Sequence, residues 1–174
     1  MATLIYSATA SLDGYIAGPG GDMSWLTEHL GAPDPAADRL LERTRALLVG
    51  ARTFGGDDPH RGTDQEGAFE GRFPGPVVVL THRPADQAPD GVDFVGDLQE
   101  AVDRASAAAG DGYVDVVGAD VARQCLDAGV LDEVLLFFAP VLLGEGVRVL
   151  DRPNRPRVRL EPVPGETAHW YRVR

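Results

Sequence analysis

Residues 113–141, YVDVVGADVARQCLDAGVLDEVLLFFAPV, decide the fold. Their first five positions are β-branched or aromatic save for Asp115, the composition of a strand. Gly118 then turns the chain and Asp120 is the expected helix cap. Val121, Cys125 and Leu126 recur at helical spacing, and Gly129 is a fitting stop. DEVLLFFAPV is the most apolar stretch of the chain and reads as a strand buried on both faces. A strand, a helix and a second strand on short joints imply parallel pairing within a sheet that helices cover.

The same grammar extends outward. Upstream, TLIYSAT (3–9) is a strand ended by Ser11-Leu12-Asp13-Gly14, and a glycine-rich loop, GPGGDMSW, follows it. Asp34-Pro35 starts a helix that runs into the apolar ALLVG, and PVVVLT (76–81) and VDFV (92–95) are further strands. Asp97 and Glu100 bracket the start of a helix over about 98–108. Gly55 to Gly75 reads as a long surface loop. Downstream, VRLEPV and HWYRV flank the turn Pro164-Gly165-Glu166 as an antiparallel edge pair. The expectation is one α/β domain over 1–174, with a mixed, mostly parallel sheet of about eight strands and helices on both faces.

Composition narrows the function. The formal net charge of −11 repels a phosphate backbone, and the only local basic cluster is Arg152 to Arg159, so no nucleic-acid partner is expected. All sixteen cationic side chains are arginine, which leaves arginine and histidine as the holders of any anion. No apolar run is long enough for a membrane span, and MATLIYSATA lacks the basic start of a signal peptide, so a cytoplasmic protein without a membrane partner is expected. Cys125, the single cysteine, falls in an apolar helical pattern and reads as a core thiol. No metal site is expected.

In open α/β sheets ligands sit beyond the carboxyl ends of the strands, where loops meet helix N-termini. The residues there are Ala8 to Gly14, Gly50 to Phe54, Thr81 to Arg83 and Gly118 to Val121. Gly118-Ala119-Asp120 lets backbone approach a pyrophosphate, or is merely a tight turn. Arg52, Thr53, Thr81, His82 and Arg83 offer guanidinium, hydroxyl and imidazole groups suited to a phosphate ester, and each alone also fits a solvated loop. Asp13 is the candidate proton donor or relay, although Asp-Gly is an ordinary turn pair. Trp25 lines a planar-ligand pocket or anchors its loop. His169 and Trp170 suit packing or a subunit contact.

The segments SLDGYIAGPGGDMSW, VGARTF, VVVLTHRP, VVGADVARQCLDAGVLDE and APVLLGEGVRVL together resemble the dihydrofolate-reductase-like family, which includes the C-terminal reductase domain of riboflavin biosynthesis proteins. The resemblance implies a three-layer fold, NADPH as cofactor, a homodimer, and hydride transfer to a pterin or ribosylamino-pyrimidine. It implies Gly50 and Thr53, with Ala51 and Arg52 between them, at the cofactor phosphates. It implies Thr81, His82 and Arg83 at the adenosine 2′-phosphate, and Gly118, Ala119, Asp120 and Val121 at the pyrophosphate. Gln124 then lies toward the adenine, and Ala8 and the loop beginning at Ile16 lie near the nicotinamide.

Three positions depart from that pattern. Ala51 stands where it has arginine, Val117-Gly118 replaces a glycine pair, and Ser7 replaces a lysine six residues before Asp13. The last change points away from the riboflavin-pathway substrate. An acid that protonates folate has only Asp34 and Asp38 as positional candidates. The reading is an NADPH-dependent reductase of a small heterocycle, with water or Asp13 as proton source. The alternatives are 5-amino-6-(5-phosphoribosylamino)uracil reductase and a non-catalytic ligand-binding protein on the same fold.

Overall fold

The computed structural model describes residues 1–83, 88–166 and 168–174. Its strands are β1 (Thr3–Ser11), β2 (Tyr15–Ala17), β3 (Thr44–Gly50), β4 (Val77–Leu80), β5 (Val92–Val95), β6 (Tyr113–Val117), β7 (Glu133–Ala139), β8 (Val147–Arg148), β9 (Leu160–Pro162) and β10 (His169–Val173). The helices are α1 (Pro35–Arg43), α2 (Ala51–Phe54), α3 (Leu98–Ala109) and α4 (Ala119–Asp127), and Ser24–His29 forms a 3₁₀ turn. Eight strands make one sheet in the order β5-β4-β3-β6-β1-β7-β10-β9, and β2 pairs with β8 apart from it. From β5 to β7 every pairing is parallel. β10 and β9 close the sheet antiparallel, as the short turn at Gly165 requires.

Side-chain alternation assigns each strand residue to a face. Leu4, Tyr6, Leu48, Val114 and Val116 meet α3 and α4 through Val102, Ala105, Val121 and Cys125. Ile5, Tyr113, Leu135 and Trp170 meet α1 through Ala36 and Leu40 on the other face, so helices do lie on both. The Cys125 thiol is buried, and desolvation pushes it up to about 12, which makes it an inert packing group.

Local chemistry explains the joints. The Asp34 carboxylate accepts from the Ala36 N–H at 2.8 Å and opens α1, with Pro35 in the first turn. At the other end Thr44 Oγ1 donates to the Leu40 carbonyl, and β3 begins at that residue. Asp97 caps α3 through the Glu100 N–H. α4 differs from the expectation. Its cap is Gly118, and Asp120 lies inside the first turn, where Arg123 and Gln124 engage its oxygens. The stretch from Gly55 to Gly75 also does more than cross the surface, because Phe69 packs against the α1-side cluster. The β2–β8 pair has no counterpart among the sequence expectations.

Candidate active site

The sheet splits at its centre. β1 pairs with β6 only from Thr3↔Tyr113 to Tyr6↔Val116, whereas its pairing with β7 runs on to Ser11↔Ala139. Beyond Tyr6 and Val116 the two parallel strands part. Ser7, Ala8 and Thr9 on one side and Val117 on the other are all half-exposed, although they belong to the two central strands. A crevice therefore enters the sheet at the carboxyl ends of its strands, where α/β folds place ligands.

Next to this fork the phosphate candidates converge. Gly118 has φ +110°, and a Cβ there would collide with Thr53 Oγ1, so only glycine allows α2 and the start of α4 to approach this closely. An added Cβ on Gly50 would touch Val121. Ala119 and Asp120 at the start of α4 line a cleft of about 460 Å³ together with Arg52, Arg123, Arg148, Arg152 and Arg155. Against those five guanidiniums stand Asp120, Asp127 and Asp151. In a chain of net charge −11 this is a concentration of positive potential, aided by the free N–H groups of α4.

Part of that charge is already committed. Asp127 takes two bonds from Arg152, at 3.0 and 2.9 Å, and is also paired with Arg123 and Arg155. Arg152, then Arg155 and Arg123, hold its carboxyl below the usual range. Arg123 is the first cause of the same shift in Asp120. Arg52 and Arg148 make no ion pair among the described residues, and Arg148 lies over the Tyr15 ring at 4.9 Å. The basic run that begins at Arg152, left without a role in the sequence, thus contributes two walls of the cleft.

Other expected residues lie farther out. Thr81, His82 and Arg83 follow β4 on the same rim, since Leu80 is in register with Gly50, but they do not line the arginine cleft. Thr81 Oγ1 accepts from the Arg83 N–H, and the His82 and Arg83 side chains are exposed. Gln124 binds Asp120, and Ile16 is on β2. Trp25 lies in the 3₁₀ turn with its indole N–H buried and unpartnered, a donor aimed at no protein group. Its loop is held to the 57–60 segment, where Asp57 accepts from the Met23 N–H.

Asp13 is a clamp rather than a free acid. Ser11 Oγ donates to it, as do the Gly144 N–H at 2.7 Å and the Leu143 N–H at 3.1 Å. The Ser11 hydroxyl first, then those amides, lower its carboxyl to about 2, so it holds no proton to give near neutral pH. Asp34 is spent on its helix cap, and Asp38 pairs at the surface with Arg72.

A second carboxyl was overlooked in the sequence. Asp115 is 2% exposed, on the α1 face of β6 directly below the fork. Its Oδ2 is 2.9 Å from Ser7 Oγ, and its Oδ1 is buried without a partner. Desolvation pushes it up to about 8, against a lowering by Ser7. An acid inside the otherwise apolar YVDVV was the available signal.

Comparison with known proteins identifies the family and the fold. The model of the RibD C-terminal domain matches residues 2–167. A riboflavin biosynthesis protein RibD of Corynebacterium ammoniagenes is 31% identical over 159 residues, which are 87% of this chain and 46% of that protein. The chain thus spans about half the length of this relative. Solved structures share the fold. A putative riboflavin biosynthesis protein from Shewanella sp. PV-4 superposes with a TM-score of 0.76 at 23% identity, covering 99% of both chains. The deaminase/5-amino-6-(5-phosphoribosylamino)uracil reductase of Thermotoga maritima gives 0.62 at 20%, covering 99% of this chain and 55% of that one. Dihydrofolate reductase from Enterococcus faecalis, complexed with NADP(H) and RAB-propyl, gives 0.57 at 16%, covering 98% and 94%. On these matches the chain belongs to the RibD C-terminal domain family and has a dihydrofolate-reductase-like fold.

Proposed function

We propose that the protein is an NADPH-dependent reductase of a small heterocycle, of the ribosylamino-pyrimidine class or a pterin close to it. The observation that carries this reading is the arginine cleft at the start of α4, opening beside the fork between β1 and β6 in a strongly acidic chain. Family membership favours the ribosylamino-pyrimidine over the pterin.

The residues present fit the cofactor. The α4 N-terminus, Arg52 and Arg148 would hold the pyrophosphate, with Gly118 kept bare by Thr53. Thr81, His82 and Arg83 would take the 2′-phosphate, and Ala8 with the loop near Ile16 would flank the nicotinamide. When bound, NADPH supplies the hydride. The protein's own part is to orient the acceptor, keep the crevice largely dry and deliver a proton. Trp25 would offer a flat wall to the substrate, its indole N–H being buried without a partner among the described residues.

A homodimer is part of the same proposal, as the family resemblance implies. Leu12 and Leu142 are exposed, and the Leu12 N–H binds the neighbouring Val141 carbonyl, which places two apolar side chains on one patch. No helix among the described residues is long and apolar enough to cross a membrane.

The test is NADPH consumption by the purified protein, with 5-amino-6-(5-phosphoribosylamino)uracil and a dihydropterin as acceptors. Oxidation with the former and little with the latter supports the reading. Cofactor binding without oxidation by either would leave a ligand-binding protein in its place.

A further inference from the structure

We propose that Asp115 is a proton store for the reaction in the crevice and that it acts through Ser7 Oγ. This rests on the reductase reading for the identity of the acceptor. The two residues themselves are fixed by geometry.

Asp115 lies one register position below the point where β1 and β6 part, and Ser7 is the first β1 residue beyond that point. Ser7 is half-exposed on the crevice wall, whereas Asp115 is sealed beneath it. Among the described residues the 2.9 Å contact between Ser7 Oγ and Asp115 Oδ2 is the only side-chain hydrogen bond of that carboxyl, and Oδ1 has no partner. A buried carboxylate with one bare oxygen and one hydroxyl neighbour is costly; a neutral carboxyl there is far less so. The raised titration follows from the same burial.

Among the described residues no charge alters that balance. The residues in register beside Asp115 are Ile5 on β1 and Leu47 on β3. On α1, Asp38 pairs with Arg72, Arg39 with Glu166, Arg43 stacks on Tyr113, and Glu42 is exposed. On β7, Glu133 is taken by Tyr113, Trp170 and Arg172. Across the sheet, the Tyr6 phenol donates to the Val149 carbonyl. Asp13, the other acid near the crevice, is saturated with donors.

The step balances as follows. A C=N or C=O bond of the acceptor gains a hydride at carbon from the reduced nicotinamide dinucleotide, which ends oxidised. The heteroatom takes the Ser7 Oγ proton as its new N–H or O–H bond forms. Ser7 Oγ in turn takes the Asp115 proton, the carboxyl O–H bond breaks, and a carboxylate remains until a proton from crevice water returns to it through Ser7 Oγ. Ser7 stands where the family resemblance implies a lysine, so a neutral hydroxyl and a neutral acid together supply a mobile proton that a lone serine would not.

The test combines carboxyl carbon-13 NMR of the free protein with kinetics on the wild type and Asp115→Asn, Ser7→Ala and Ser7→Thr. One aspartate absent from the Asp115→Asn spectrum should titrate far above the ordinary range, and higher still in Ser7→Ala. NADPH affinity should stay within about twofold of wild type in all three variants. With whichever of phosphoribosylaminouracil or dihydropterin the wild type reduces, Asp115→Asn and Ser7→Ala should slow single-turnover reduction by about a hundredfold. Ser7→Thr should restore most of the rate, and Asp115→Asn should lose the fall in rate at alkaline pH. An Asp115 that titrates like a surface carboxyl, or variants that keep both rate and pH profile, would overturn the proposal while cofactor binding stands. Failure of the wild type to bind NADPH, or to reduce either acceptor, would remove the reductase reading and this role with it.

Discussion

Thr53 Oγ1 occupies the space that any side chain at residue 118 would need, so the hydroxyl after β3 and the bare backbone before α4 are fitted to each other. This one contact joins two of the loops that the phosphates of a dinucleotide would have to reach together.

Gly118→Ala should therefore fail twice, by collision with Thr53 and by its φ of +110°. The expected loss is about 1–3 kcal/mol of stability for the backbone alone, read by urea unfolding, together with loss of NADPH binding. Adding Thr53→Ala removes the collision but not the backbone strain, so the double variant should recover only part of the stability.

Arg83→Ala should separate the two nicotinamide cofactors. A charge-assisted bond to the 2′-phosphate implies about tenfold or greater weakening for NADPH, with NADH little changed. Equal losses for both would move the 2′-phosphate away from Arg83.

Asp127 ties the segment of Arg152 and Arg155 to α4, Asp13 ties Leu143 and Gly144 to the end of β1, and both carboxyls are held below the usual carboxylate range. Their contributions are fully present above that range and are lost as pH falls through the lowered values, near 2 for Asp13. Unfolding followed from pH 5 downward should show a steeper loss in wild type than in Asp127→Asn, which has already released Arg123, Arg152 and Arg155. Asp127→Asn should also speed proteolysis at the arginines from 152 to 159 at neutral pH.

Asp115 gives the opposite slope. Its carboxyl is raised from 3.8 to about 8, so between those values the folded chain holds a proton that the unfolded chain has shed. Stability relative to Asp115→Asn should fall as pH rises across that window and level off above it. A difference between the two proteins that stays flat across the window would contradict a neutral buried acid.

At the opposite rim, Glu133 Oε2 accepts the Trp170 indole N–H at 2.7 Å and the Tyr113 hydroxyl at 3.1 Å, all three within the core. Glu133→Ala orphans both donors and should cost about 1–3 kcal/mol for each group left unsatisfied. NADPH affinity, measured below the unfolding transition, should not change.

The order of strands and helices was legible because each carries its own periodicity and stops, as in YVDVV, the Asp34-Pro35 start and Gly129. So were the loops that follow β3 and β6, since Gly50, Thr53 and Gly118 lie where parallel strands end. What was hidden depends on distances across the fold. Asp120 reads as a cap until Arg123 and Gln124 are seen to hold it. Asp13 reads as a free acid until the amides of Leu143 and Gly144, 130 and 131 positions away, are found on it. The β2–β8 pair escaped notice because strands of three and two residues leave no period to read. The partnership of Ser7 with Asp115 spans 108 residues and appears only when β1 and β6 lie side by side.

On the proposed function, the fork and the arginine cleft form one cradle for a phosphorylated nicotinamide dinucleotide. Titration of the protein with NADPH, followed by nicotinamide fluorescence, tests it most directly. Binding should be saturable and micromolar, should weaken with salt, and should be lost in Gly118→Ala and in the double variant Arg52→Ala/Arg148→Ala. Absence of binding at millimolar NADPH, or binding that ignores both variants, would contradict it.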